Sequence, residues 1–289
     1  MSENYSLALE YYSHVLRLDT NNTNALRNSG VAYSAIGNKE KAKECYLRAL
    51  EIDPEFAKVL NDLGVIYSSE GNSKEAIKNF QQAVAFDSGN ALNLSNLGQE
   101  YARIGKISKA LPVLRRAIVL SPDNSVISYH LGNCFAQTRS MDSAEYYFSL
   151  SIENGGKTSE LFYHLGTVKN MLGKTDEAES NFKKGLDVNP EHISILQSLG
   201  LIHLKAGSYP EAINKFQRAV KIDSAYYAAW IGLGVSYSLS QNIPQADSIL
   251  SHLMAIDSSM GYQMLDIISK EQIKRNKARR KASQEQKTE

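Results

Sequence analysis

One interval constrains this chain more than any motif in it, because residues of the same kind return every 34 positions. Glycine stands at Gly30, Gly64, Gly98, Gly132, Gly166, Gly200 and Gly234, and alanine at Ala8, Ala42, Ala76, Ala110, Ala144, Ala178, Ala212 and Ala246. Four residues after each alanine comes a bulky apolar side chain, from Tyr12 and Tyr46 through Phe80 and Leu114 to Leu250. An aromatic follows three residues after most of the glycines (Tyr33, Tyr67, Tyr101, Phe135 and Tyr237), and Lys169 and His203 break that series. Self-similarity at such a period marks a repeat array, in which each unit buries its apolar face only against its neighbours. The tetrapeptide Tyr-His-Leu-Gly, beginning at Tyr129 and again at Tyr163, falls in phase with these columns.

Each unit reads as two helices. In "NALRNSGVAYSAIGNKEKAKECYLRALEIDP" the apolar residues of both halves recur at three- and four-residue spacing. Gly37 closes the first helix and Asn38 caps the second. Pro54 stops that second helix, as do Pro122 and Pro190 in later units, since the residue before proline avoids helical geometry. Pro210 and Pro244 fall in first turns, where a missing N–H costs little, whereas Pro112 lies deeper and is a candidate for a kink. The glycine and alanine columns mark the positions where helices cross closely.

The order of an aromatic or Leu, then Leu-Gly, Tyr, Ala, an aromatic, Ala and Pro resembles the tetratricopeptide repeat family, most clearly at Trp230, Leu233-Gly234 and Tyr237. That resemblance covers nearly the whole chain. It implies an all-α fold, a right-handed α-solenoid of antiparallel helix pairs with first helices lining the concave side. Residues 23–260 then hold seven full repeats, and residues 1–22 a half repeat made of a second helix only. A capping helix and a basic, fraying tail take up 261–289. The half repeat leaves an open edge, which fits either a shortened start or self-association with another copy or another protein.

Five helix-to-helix steps separate Cys45 from Cys134 in such a stack. At about 8–10 Å per step this exceeds the ~7 Å between Cα atoms that a disulfide tolerates, so no bridge is expected. Formal charge is nearly balanced at +1, which argues against a global preference for nucleic acid or anionic membrane. The basic residues concentrate at the end: 270–281 carries a net +6 and suits nucleic acid or an acidic partner, with a solvated helix tail as the plainer reading. No run of 18 apolar residues occurs, so no membrane span is expected. The opening "MSENYSLALEYYSH" lacks the pattern of a secretory signal, which makes the cytoplasm the default compartment.

The fifth and sixth positions of each repeat are not dictated by the column pattern, and the resemblance places them on the concave groove. Along the stripe at fifth, ninth and thirteenth positions the middle of the groove is polar and aromatic. Asn96, Gln99, Arg103, Tyr129, His130, Asn133, Tyr163 and His164 are therefore the candidate partner-binding residues. The histidines are expected to line the groove and titrate near their ordinary value of about 6.5. The stripe turns apolar at Ile231, Val235 and Leu239, which are expected to lie beneath the capping helix.

The O-linked N-acetylglucosamine transferase superhelix holds peptide backbones with an asparagine ladder at an inner position. Only Asn28 and Asn96 match it at the sixth position here. The basic clamp with which some family members take chaperone tails has no match in the fifth and ninth positions. A metal site at His130 and His164 lacks a third ligand in view, so no metal and no cofactor are expected. His14, His192 and His252 read as surface residues and His203 as structural. No GxSxG, HExxH, P-loop or GxGxxG context appears. The reading is a non-catalytic scaffold that holds an extended segment of another protein. The alternative is the targeting superhelix of a larger, glycosyltransferase-like enzyme.

Overall fold

The computed structural model describes the backbone of residues 2–285 and the side chains of 4–274, 276 and 277. Among the described residues it is built from sixteen helices and no strands. They divide into two compact units, 1–156 and 157–289.

The first unit contains α1 (Ser2–Leu18), α2 (Thr23–Ala35), α3 (Lys39–Ile52), α4 (Ala57–Ser69), α5 (Ser73–Phe86), α6 (Ala91–Arg103), α7 (Ile107–Leu120), α8 (Ser125–Gln137) and α9 (Met141–Glu153). From α2 onward these form four helix pairs, each packed on the next. Side-chain oxygens of Asn22, Asn38, Asn72, Asn90 and Asn124 accept backbone N–H groups at helix starts, as expected for Asn38. First helices end on left-handed residues: Gly37, Gly71 and Gly105, and in the fourth pair Arg139 at φ 58°. α7 continues through Pro112 as one helix.

Close approach explains the glycine column. A Cβ on Gly30 would lie 2.4 Å from the Tyr46 ring, and one on Gly132 only 2.5 Å from the Phe148 ring. The alanine column is fully buried at Ala42, Ala76, Ala110 and Ala144. α1 repeats the second-helix pattern, yet Ala8 and Tyr12 stay half-buried on its open side.

The second unit contains α10 (Ser159–Met171), α11 (Thr175–Val188), α12 (Ile193–Ala206), α13 (Tyr209–Ile222), α14 (Tyr227–Leu239), α15 (Ile243–Ile256) and α16 (Ser258–Glu285). Gly166 and Gly200 pack against Phe182 and Phe216 as in the first unit. At Gly234 the covering atom instead belongs to Met264 of α16. Met264 and Ile268 join Ile231, Val235 and Leu239 in one buried cluster, so α16 caps the apolar end as expected. The basic run from Lys270 to Lys281 lies partly outside the described residues, because the side chains of Arg275 and 278–281 are among those left undescribed.

Candidate partner-binding face

The eight candidates divide between the units, with Asn96, Gln99, Arg103, Tyr129, His130 and Asn133 in the first and Tyr163 and His164 in the second. In the first unit, fifth- and sixth-position side chains form a ladder between successive first helices. Arg27 Nε donates to Asp62 Oδ2 at 2.7 Å, linking α2 to α4. Asn96 Nδ2 donates to Asn61 Oδ1 at 2.9 Å, linking α4 to α6. Ser95 Oγ and His130 Nδ1 lie 3.2 Å apart, linking α6 to α8. In each rung the fifth residue of one repeat meets the sixth residue of the next.

The ladder corrects the expectation that packing leaves the sixth position free. His130 is 7% exposed, with its ring beside Tyr129 at 5.9 Å. Burial pushes its pKa down to about 4, so it does not titrate near its ordinary value. Burial likewise pushes the Asp62 carboxyl up, against the pull of the Arg27 guanidinium. Tyr129 leans on Phe148, 5.9 Å between centroids.

Arg103 is tied to a residue the sequence reading missed. Glu100 is 2% exposed and accepts from Arg103 Nε at 3.0 Å and from Ser68 Oγ at 2.7 Å. Arg103 Nη2 also donates to Ser73 Oγ at 2.6 Å, stapling α6 to α4 and to the start of α5. Burial raises the Glu100 carboxyl, and the hydrogen bonds from Arg103, Ser68 and Ser73 more than reverse this, leaving it below its ordinary range.

With those positions occupied, the ninth position carries the open surface of the first helices. Val31 and Val65 are 39% and 47% exposed, Gln99 is exposed and Asn133 half-buried. Among the described residues no side-chain hydrogen bond engages Gln99 or Asn133.

In the second unit Tyr163 is half-buried, its centroid 5.4 Å from those of His164 and His192 and 6.2 Å from that of Phe182. His192 was expected at the surface, but its side chain is largely covered and caps α12, with Nδ1 accepting the Ile195 N–H at 3.4 Å. That leaves the proton on Nε2, which donates to Glu160 Oε2 at 2.6 Å. Burial pushes the pKa of half-buried His164 down, His192 adds to the shift, and Glu160 opposes it. Tyr226 Oη donates to Gln197. Lys169, which breaks the aromatic column, is ion-paired with Glu177.

Among the described residues no three or more His, Cys, Asp or Glu side chains gather as a metal site would require, and no helix is long and apolar enough to cross a membrane. Recurrent staples also join repeats. Gln81 donates to the Tyr101 hydroxyl and Gln217 to that of Tyr237. Arg48 and Arg218 donate to the carbonyls of Thr20 and Pro190, each 28 residues earlier.

The fold is shared with solved structures. The Cut9 and Hcn1 hetero-tetramer of APC/C matches with a TM-score of 0.72 at 17% identity over 80% of this chain, which spans only 46% of that one. PilW, a type IV pilus biogenesis factor, matches with a TM-score of 0.64 at 17% identity, over 72% of this chain and 98% of its own. YrrB, a repeat protein with an unusual peptide-binding site, matches with a TM-score of 0.53 at 23% identity, over 66% and 98%. No curated protein sequence matches the chain. Such a repeat stack is a protein–protein interaction scaffold. Tetratricopeptide repeat models match residues 23–56, 45–78, 95–157, 157–225 and 203–259. Together they cover most of its length, and the chain belongs to the tetratricopeptide repeat family.

Proposed function

We propose that the first-helix face of the first unit holds an extended segment of a partner protein. One observation carries this reading: the ladder occupies the fifth and sixth positions, while Val31, Val65, Gln99 and Asn133 remain along a row of parallel helices. An amide offers both donor and acceptor to peptide backbone groups, and the valines offer apolar contacts for its side chains. Because the rungs fix the helices beforehand, the partner bears most of the ordering cost. The peptide-binding site named for YrrB is consistent with a fold of this kind taking peptides.

In the test, peptides selected from a random display library on the full chain are titrated against wild type and against Val65→Ala/Gln99→Ala/Asn133→Ala. The reading expects the triple variant to lose about tenfold in affinity, or about 1.4 kcal/mol, with an unchanged circular dichroism spectrum. Equal affinity for both proteins refutes it.

A further inference from the structure

The outer face of the first unit has a charge pattern that the groove does not use. From 106 to 122 the chain carries Lys106, Lys109, Arg115 and Arg116 and no acid, whereas 140–156 carries Asp142, Glu145 and Glu153 and no base. These segments contain α7 and α9, the second helices of consecutive pairs, both packed on α8. Lys109, Pro112, Arg116 and Val119 are exposed along one stripe of α7, with Val119 at 79%. On α9 the exposed stripe is Asp142, Tyr146 and Glu153, with Tyr146 at 61%. The surface beneath is firm: the Arg115 guanidinium lies 6.0 Å over the Phe135 ring, which stacks on Tyr147 at 5.3 Å.

We propose that two copies of this chain pair through this face, α7 of each copy lying on α9 of the other. A two-fold axis running along the helices, between α7 and α9, produces that pairing and keeps residues at equal heights opposite one another. α7 starts at Ile107 and α9 at Met141. Pro112 and Tyr146 are both the sixth residue of their helices, equivalent places in consecutive repeats, and the proposed axis, with the two helix starts level, sets them opposite each other. Lys109 is third and Asp142 second, a height difference of about 1.5 Å. Arg116 is tenth and Glu153 thirteenth, about 4.5 Å apart in height; the Arg116 guanidinium donates one N–H to the Ser88 carbonyl at 3.4 Å and keeps its other donors for a carboxylate. Every contact occurs twice, so the interface closes on itself and yields a dimer and no filament. Turning the axis to lay α7 on α7 would oppose like charges, which disfavours that arrangement. The apolar level of Pro112 and Tyr146 supplies affinity, and the flanking charges supply register and salt dependence.

Sedimentation velocity of the full chain at about 100 µM, in about 50 mM and then about 500 mM salt, is the first measurement. A dimer at low salt whose dissociation constant rises about tenfold at high salt is expected. Two reversals then test the pairing: Lys109→Glu/Arg116→Glu makes both helices acidic, and Asp142→Lys/Glu153→Lys makes both basic. Each variant alone should be monomeric with the wild-type circular dichroism spectrum, and an equimolar mixture should recover the dimer. Tyr146→Ala, which changes no charge, should weaken it. A wild-type chain that stays monomeric at low salt overturns the proposal and leaves the basic face to an acidic partner. A dimer that survives both reversals, or a mixture that fails to reassemble, also overturns it.

Discussion

His130 offers a quantitative test of the ladder. Its ring sits buried beside Ser95, and burial lowers its pKa from 6.5 to about 4. In the unfolded chain the same imidazole takes up its proton near 6.5. Between those values the unfolded state binds more protons, so this group's contribution to stability is complete above 6.5 and is lost as the pH falls toward 4. At one pKa unit per 1.36 kcal/mol, the full gap corresponds to about 3 kcal/mol. Evaluated at pH 5, about 2 kcal/mol of that is already gone relative to pH 8.

Other groups add their own pH dependence: Glu100 is held below its ordinary value and its contribution to stability is lost on acidification, whereas Asp62 is held above its own and acidification favours the fold there. The informative quantity is therefore the difference between wild type and His130→Gln, since glutamine keeps a hydrogen-bonding group beside Ser95 but cannot take the proton. Urea denaturation followed by far-ultraviolet circular dichroism at pH 8 and pH 5 measures it. Wild type should lose about 2 kcal/mol more than His130→Gln between those two pH values. Parallel pH dependences for the two proteins would refute the argument that the rung holds a neutral, desolvated imidazole.

Gly132→Ala should cost about 1–3 kcal/mol in thermal denaturation, because the added Cβ would come within 2.5 Å of the Phe148 ring; a neutral outcome would mean that the ring can move. Arg139→Gly and Gln241→Gly should each stabilise by about 1 kcal/mol, since both residues hold φ near 60° where the other first helices of their units end on glycine; an unchanged denaturation midpoint would contradict this. Glu100→Ala should destabilise by about 1–3 kcal/mol, because it strips Arg103 and Ser68 of their shared acceptor. Ser68→Ala should cost less in the same urea titration, and the reverse order would place the weight of the cluster elsewhere.

The columns were legible because each rests on a contact that tolerates one kind of residue. Gly132 beneath Phe148 and Gly166 beneath Phe182 impose the same steric demand, so the same letter returns. The ladder obeys a rule that preserves no letter. Arg27 with Asp62, Asn61 with Asn96 and Ser95 with His130 are three chemistries in one geometry, and only complementarity across 35 residues links them. Inspecting the sixth position by itself therefore suggests a free groove residue, although the partner stands in the fifth position one repeat earlier. His192 was misread for a related reason: an imidazole holding a helix start is visible only once Glu160 and Tyr163 are known to sit against it.

Glu100 is the instructive miss, because its signal was already in the columns. The tenth position of the other repeats is Ala32, Ile66, Cys134, Val168, Ile202 and Ser236, a series without charge. A carboxylate in such a column cannot remain ionised unless it brings donors with it, and Arg103 follows three residues later. In a repeat protein the regular members of a column report the fold. A member that breaks its column by charge reports a local network, and Glu100, with Arg103 three residues later, is such a member.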